Sequence, residues 1–165
     1  MWYVRDSNTS GFATTQLSFG GAGDTPMCGD WDGDGVETVG VVRGGVWFLR
    51  DTLTSGIANH AFPYGNVSDL PVVGDWDGDG LDTPGIVRGG VWYLTNSPIG
   101  GNAETVFAYG LGSDTPIVGD WMGIGRDRPG VVRSGTWYLR HSLSTGAADE
   151  MFDYGVGTDT PLVWR

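Results

Sequence analysis

Apolar residues occur along this chain in short runs that glycine, proline and aspartate interrupt every few positions. Between residues 71 and 110 there are four such runs: Pro71–Trp76, Gly85–Arg88, a run beginning at Val91, and Val106–Gly110. β-Branched and aromatic residues fill these runs, and none shows the 3.6-residue spacing of an amphipathic helix. Gly-Gly at 44–45 and 89–90, and Ser-Gly at 134–135, are typical of two-residue hairpin turns. The pattern predicts an all-β chain of short antiparallel strands.

The pattern repeats with a constant period. Trp2, Trp47, Trp92 and Trp137 are each 45 residues apart, and Pro26, Pro71, Pro116 and Pro161 keep the same spacing. Four short strands in a unit of this length are typical of a β-propeller blade. A β-trefoil also uses four-stranded units, but three and a fraction units with an acidic loop after each first strand favour the propeller. We therefore predict a β-propeller of four-stranded antiparallel blades.

The repeat also predicts boundaries within one repeat domain, residues 1–165. Complete blades are expected at 24–65, 69–110 and 114–155. Residues 2–20 would supply the outer two strands of a partial blade, and residues 159–165 an inner strand completing it. Exposed strand edges invite pairing with further strands. Two alternatives follow: the ends close a small ring, or copies of the chain associate as an oligomer that completes a larger one.

Two acidic loops carry the clearest chemistry. Asp30, Asp32 and Asp34 alternate along the first, and Asp75, Asp77 and Asp79 along the second. Calcium takes six to eight oxygen ligands, and a tightly turned loop can direct alternate side chains to one point. The main-chain carbonyls of Val36 and Leu81 are natural further ligands, and Glu37 or Asp82 would complete the sphere.

The alternative is an acidic turn without metal, since Asp-Gly pairs are common turn formers. Repulsion among four carboxylates within eight residues favours a bound divalent cation, and the second copy in register strengthens that interpretation. Calcium is preferred over magnesium because magnesium retains its waters. The third loop keeps Asp120 but has Met122 and Ile124 at the alternate positions, so we predict two calcium ions per chain. Arg126 and Arg128 would replace the third ion by pairing with Asp120 and Asp127.

Charge and composition exclude several function classes. The net charge is −11 and the chain has no lysine, which argues against nucleic acid and anionic membranes as partners. No apolar run is long enough to insert into a membrane, and residues 1–5 lack the features of a signal peptide. The single cysteine, Cys28, is expected to be a small buried side chain. Arg43, Arg88 and Arg133 are expected to pair with the aspartates that precede Pro26, Pro71, Pro116 or Pro161, or to cap strand ends.

One segment of the repeat carries a family resemblance. Val73-Gly74-Asp75-Trp76-Asp77-Gly78-Asp79-Gly80, followed by Thr83-Pro84-Gly85-Ile86-Val87, resembles the FG-GAP/VCBS repeats of bacterial surface proteins and of the integrin α-chain propeller. The resemblance implies a calcium loop between the first two strands of each blade. That family usually has its last acid one place later, where this chain has Thr38 and Thr83. The last ligand is therefore the acid, the threonine hydroxyl or water.

Three functions remain open. The first is a calcium-stabilised scaffold that binds a protein or glycan, as an extracellular or cell-surface module of a larger bacterial protein. The second is a lectin, but seven of the eight tryptophans occupy repeating framework positions and only Trp164 breaks the register. The third is a non-catalytic fragment of a larger secreted enzyme. An enzyme is not expected, because His60 and His141 lie at non-equivalent repeat positions without a nucleophile signature.

Overall fold

The computed structural model describes residues 1–163, and that range contains fourteen strands and no helix. In chain order the strands are β1 Trp2–Val4, β2 Thr15–Leu17, β3 Thr25–Gly29, β4 Thr38–Arg43, β5 Val46–Leu49, β6 His60–Pro63, β7 Leu70–Gly74, β8 Thr83–Arg88, β9 Val91–Leu94, β10 Thr105–Ala108, β11 Thr115–Gly119, β12 Arg128–Arg133, β13 Thr136–Leu139 and β14 Glu150–Asp153. No helix long and apolar enough to cross a membrane is found in the described residues. The all-β prediction is confirmed.

The strands form four separate antiparallel sheets in chain order. Sheet A consists of β1 and β2, sheet B of β3–β6, sheet C of β7–β10 and sheet D of β11–β14. Each strand pairs with its sequence neighbour, so each sheet is a meander. Among the described strands, none pairs sheet A with sheet D, and the four sheets are not joined into a closed ring.

Tight hairpins join the second and third strands of the larger sheets. Gly44 and Gly45 have φ values of 59° and 80°, and Ser134 and Gly135 have values of 51° and 88°. Two successive residues with positive φ define the turn whose twist matches that of antiparallel strands. Ser134 is the one residue other than glycine with positive φ among the described residues. The hairpin predictions are confirmed.

The hydrophobic core lies between neighbouring sheets. Trp47 of sheet B and Trp92 of sheet C are both 0% exposed. Each stacks on a phenylalanine of its own sheet, with ring centroids 6.5 Å apart for Trp47 and Phe62. The indole N–H of Trp47 donates to the carbonyl of Tyr64 at 3.0 Å, which satisfies its buried polar atom. Buried hydrophobic residues form three clusters, one between sheets A and B, one between B and C and one between C and D.

An arginine–aspartate pair ties the first two strands of each larger sheet. Arg43, Arg88 and Arg133 each donate through two nitrogens to one carboxylate, with Nε–Oδ1 distances of 2.7 Å. The partners are Asp24, Asp69 and Asp114, as predicted. Each guanidinium also lies over an aromatic ring of the third strand, at 5.1 to 5.2 Å from the centroid. Two hydrogen bonds and a stacked ring therefore hold three strands in register.

The first strands of sheets B, C and D border a shared cavity. Strand β7 lies beside both β3 and β11. These strands and residues 161–163 line a cavity of about 930 Å³. Residues 159–163 form no strand, and the last two residues of the predicted inner strand at 159–165, including Trp164, lie outside the described residues.

Cys28 faces this cavity and is exposed, so the prediction of a buried side chain is wrong. The physical reason is that β3, which carries Cys28, lines the shared cavity and is not covered by another strand on that side. Desolvation by the surrounding walls, and then the charge of Glu37, raise the pKa of the Cys28 thiol.

Candidate metal centre

Each acidic loop joins the first and second strands of a larger sheet. Residues 30–37 link β3 to β4, residues 75–82 link β7 to β8, and residues 120–127 link β11 to β12. The glycines at the fourth and sixth positions of every loop have positive φ, with 75° and 84° at Gly33 and Gly35. Residues with a Cβ atom adopt positive φ only at a cost in conformational energy. The glycines therefore fold each loop back so that alternate side chains converge.

The first loop is organised by its first aspartate. One oxygen of Asp30 accepts the N–H of Gly33 at 2.8 Å, and the other accepts that of Gly35 at 2.7 Å. Asp34 caps the next turn by accepting the N–H of Val36 at 2.9 Å. One oxygen each of Asp30, Asp32 and Asp34 lies within 4.8 Å of the others. Asp30 is buried while Asp32 and Asp34 are exposed, so the site opens towards solvent.

The second loop repeats this geometry. Asp75 accepts the N–H groups of Gly78 at 2.6 Å and Gly80 at 2.9 Å, and Asp79 accepts that of Leu81 at 2.9 Å. Asp75, Asp77 and Asp79 again place oxygens within 4.8 Å of one another. Oδ1 of Asp75 accepts two N–H groups, those of Gly78 and Asp79, but Oδ2 accepts that of Gly80. A carboxylate oxygen offers two lone pairs, so the single N–H bond at Oδ2 leaves capacity for an ion. Both triads could hold a metal ion.

Crowded negative charge is visible in the first loop. The pKa of the Asp32 carboxyl is raised, first by partial desolvation and then by the charge of Asp34, with smaller contributions from Asp51 and Asp30. A nearby cation stabilises the ionised form of a carboxyl whose pKa neighbouring negative charges raise. The electrostatics and the geometry therefore favour the same occupant, a positive ion.

The third loop keeps the backbone without the triad. Gly123 and Gly125 have φ values of 65° and 71°, and the N–H of Gly125 donates to Asp120 at 2.7 Å. Burial works to raise the pKa of Asp120, but the main-chain N–H groups of residues 122–125 lower it below its usual value. Met122 and Ile124 occupy the alternate positions and are largely exposed. No acidic triad forms in this loop.

Asp82 contacts a neighbouring loop. Its carboxylate accepts the N–H of Asp30 at 2.9 Å, and its own N–H donates to the Asp30 carbonyl at 2.8 Å. Asp127 makes the same two bonds to Asp75, at 2.9 and 2.7 Å. Asp82 is 2% exposed, so these bonds are buried. The acids that end the second and third loops therefore clamp the first aspartate of the preceding sheet's loop.

The remaining predicted ligands are not members of the two acidic triads. Glu37 borders the shared cavity, and neither Glu37 nor Asp82 belongs to an acidic triad. The hydroxyls of Thr38 and Thr83 donate to carbonyls of their own sheets, at 3.3 Å. Val36 and Leu81 lie two residues after the last aspartate of each triad, and their main-chain N–H groups donate to Asp34 and Asp79. That their carbonyls bind metal stays a prediction.

Arg128 also links two sheets. Its Nη1 donates to the carbonyls of Asp127 at 2.7 Å and of Trp76, in sheet C's loop, at 3.4 Å. Burial, followed by the charge of Arg126, lowers its pKa, while Asp120 and Asp127 act in the opposite direction. Arg126 lies against Gly78, where an added Cβ would meet its side chain at 2.7 Å. Both arginines therefore contact the second loop. The sequence hypothesis had paired them only with Asp120 and Asp127 of the third loop.

The inter-sheet clamp is the feature that sequence reasoning missed. The sequence contained one indication of it. Asp82 and Asp127 occupy the same position in the last two loops, and each precedes a strand whose first residue is buried. The pattern could not distinguish a ligand of its own loop from a bond to a loop 52 residues earlier.

Comparisons with known proteins leave the site as the basis for function. No family model matches the chain, and no curated protein or solved structure matches it.

Proposed function

We propose that this chain is a calcium-stabilised scaffold built as a β-propeller, whose function is to bind a protein or glycan and not to catalyse a reaction. The observation that carries the proposal is the pair of acidic triads, each with three carboxylate oxygens within 4.8 Å in a glycine-turned loop. Hard oxygen ligands at that density suit calcium, and exposed carboxylates leave room for the water ligands that its six to eight coordination positions require.

The propeller is supported by the arrangement of the sheets. Sheets A to D pack in chain order, face to face, and the first strands of B, C and D border one cavity with residues 161–163. Blades placed side by side with their inner strands around an axis have this arrangement. The resemblance to FG-GAP/VCBS repeats is consistent with it.

Calcium would act on the joints between sheets. Asp30 is a candidate ligand, and its main chain is also held by Asp82 of the next sheet. An ion bound by Asp30, Asp32 and Asp34 fixes the loop that receives this clamp. Because an ion that binds only the ordered loop adds folding free energy, saturation at one hundred times Kd contributes about 2.7 kcal/mol per site.

The setting is inferred from the same chemistry. Calcium loops with two exposed carboxylates suit the millimolar calcium outside cells. The charge of −11 disfavours nucleic acid, so the proposed partners are proteins or glycans at a cell surface. Sugar binding on tryptophan has less support, because Trp31, Trp47, Trp76 and Trp92 are all buried.

Thermal unfolding with excess calcium, with magnesium and with a chelator tests the proposal. We expect calcium to raise the melting temperature by several degrees over chelator and magnesium to raise it less. Asp77→Asn/Asp79→Asn should lose about half of that rise, while Asp6→Asn/Asp153→Asn, at exposed carboxylates outside the loops, should keep it. Light scattering on the same samples gives the number of chains per assembly. Equal melting temperatures in calcium and chelator, on protein shown to be metal-free, would overturn the calcium proposal.

A further inference from the structure

The two acidic triads have different side chains of the next sheet against them. Gly33 lies between the second and third aspartates of the first triad, and a Cβ added to it would meet Cδ1 of Leu81 at 3.8 Å. Gly78 has the equivalent place in the second triad, and a Cβ added there would meet Cγ and Nε of Arg126 at 2.7 and 2.8 Å. Leu81 and Arg126 occupy the same repeat position, 45 residues apart. An aliphatic side chain therefore lies against the first loop and a guanidinium group against the second.

A second arginine adds positive charge at the second loop. Nη1 of Arg128 donates to the main-chain carbonyl of Trp76 at 3.4 Å, and Arg128 is only 9% exposed. Burial and then the charge of Arg126 lower the pKa of Arg128, whereas the charges of three aspartates, Asp75 among them, act to raise it. The first aspartate of the second triad is therefore close enough to stabilise this cation. Beside the first loop the equivalent residue is Thr83, which has no charge.

An additional carboxylate lies near the first triad. Asp51, in the loop that joins β5 to β6, contributes to the raised pKa of Asp32, after the larger contributions of burial and of Asp34. The imidazole of His60 lies 3.0 Å from Asp51 and is charged only when protonated. At the equivalent position of sheet C the chain has Asn96. The first triad therefore has an acidic neighbour in its own sheet where sheet C has a neutral residue.

The charge around the two triads consequently differs. A divalent cation is attracted by neighbouring carboxylates and repelled by neighbouring guanidinium groups. Each triad contributes three carboxylates, so these neighbours decide which site holds an ion more tightly. On the basis of the calcium-binding function proposed above, on which this inference rests, we propose that the first site fills at lower calcium concentration than the second. Arg126 and Arg128 act as fixed counterions of the second triad and thereby weaken its hold on calcium.

This order of filling gives the two joints between sheets a different dependence on calcium. The first loop receives the clamp of Asp82 at the joint between sheets B and C, and the second receives that of Asp127 at the joint between C and D. Without an ion, the arginines compensate part of the negative charge at the joint between C and D. Low calcium concentrations therefore stabilise the joint between B and C, and only higher concentrations act on the joint between C and D.

Calorimetric titration of the metal-free chain with calcium tests the order of filling. At about pH 8, where an ordinary imidazole is neutral, we expect two binding steps whose dissociation constants differ by about tenfold or more. Asp32→Asn/Asp34→Asn should remove the tighter step, and Asp77→Asn/Asp79→Asn the weaker one. These two variants assign each step to its loop.

Exchanging the neighbours of the two loops tests the cause. Arg126→Leu gives the second loop the neighbour of the first, and we expect the weaker step to tighten about tenfold while the tighter step is unchanged. Arg126→Lys keeps the positive charge and is the matched control, which should leave both steps within about twofold. Leu81→Arg should weaken the tighter step, and Asp51→Asn should weaken it by a smaller factor.

Thermal unfolding in chelator provides a readout that needs no ion. Arg126→Leu removes a counterion from the second triad, so the melting temperature should fall by about 2 °C, and Arg126→Lys should restore it. At about 1 M salt the difference between the two variants should vanish, because charges are then screened over about 3 Å. The rise that calcium produces should be larger for Arg126→Leu than for the unmodified chain, since that variant binds the ion more tightly.

Three results would overturn the proposal. They are two calcium ions bound with equal affinity, equal changes in Arg126→Leu and Arg126→Lys, which would assign the effect to packing, and no change in melting temperature for Arg126→Leu in chelator. Two ions of equal affinity would leave the proposed calcium-binding function standing and refute only the order of filling. Binding of no calcium at all would overturn the proposed function, and the order of filling with it.

Discussion

The second and third loops have the same backbone but different chemistry. Gly78 and Gly80 have φ values of 81° and 87°, and Gly123 and Gly125 follow the same course at 65° and 71°. Both loops receive main-chain N–H bonds on their first aspartate. Only the second has an acidic triad. The glycines and the first aspartate therefore determine the shape of the loop, and the alternate carboxylates add the ability to bind an ion.

The largest expected difference comes from removing the first aspartate. Asp75→Ala leaves three N–H groups without their acceptor and also removes a candidate ligand. We expect a loss of about 3 kcal/mol in calcium, part of which disappears in chelator. Asp120→Ala should cost about 1 kcal/mol, equally in both buffers. Urea unfolding of both variants measures this, and a calcium-dependent loss for Asp120→Ala would break the distinction.

A smaller effect is expected from restoring the third loop. Met122→Asp/Ile124→Asp places carboxylates at two exposed positions of a loop that already has the required glycines. Arg126 and Arg128 lie close by, so the new site should bind calcium more weakly than the other two, and we expect about 1 kcal/mol of stabilisation in excess calcium. The matched control is Met122→Asn/Ile124→Asn. Unchanged calcium stoichiometry in the aspartate variant would mean that loop shape and two carboxylates are not sufficient.

The smallest effect concerns the arginine–aspartate pair common to the three four-stranded sheets. Hydrogen bonding to Arg43 lowers the pKa of Asp24 to about 2 from 3.8, and the pKa values of Asp69 and Asp114 are lowered by Arg88 and Arg133. A carboxyl with a lowered folded-state pKa contributes stability above its unfolded value and loses it as pH falls. In chelator, stability should therefore decline between about pH 4 and pH 2. Arg43→Gln should flatten the decline, and an unchanged slope would contradict this role.

Much of the fold could be predicted from the repeat. The period and the Gly-Gly and Ser-Gly pairs indicated the strands and hairpins, and the recurring arginines and aspartates indicated their pairing. The acidic triads could also be predicted, because all three carboxylates lie within one short loop.

Contacts between sheets could not be predicted in the same way. Asp82 accepts a hydrogen bond from Asp30 of the preceding sheet, 52 residues earlier. The spacing of residues within one unit does not indicate which residues of another unit lie nearby. Cys28 shares a repeat position with buried Val73 but faces the central cavity. Both outcomes depend on how sheets pack around a common opening, which a pattern within one unit does not determine.

Calcium titration of metal-free protein by calorimetry tests the central claim most directly. We expect two ions per chain, with one lost in Asp77→Asn/Asp79→Asn, because only the first two loops have acidic triads. Binding of no ions, or of three ions by the unmodified chain, would contradict the assignment of calcium to these two loops.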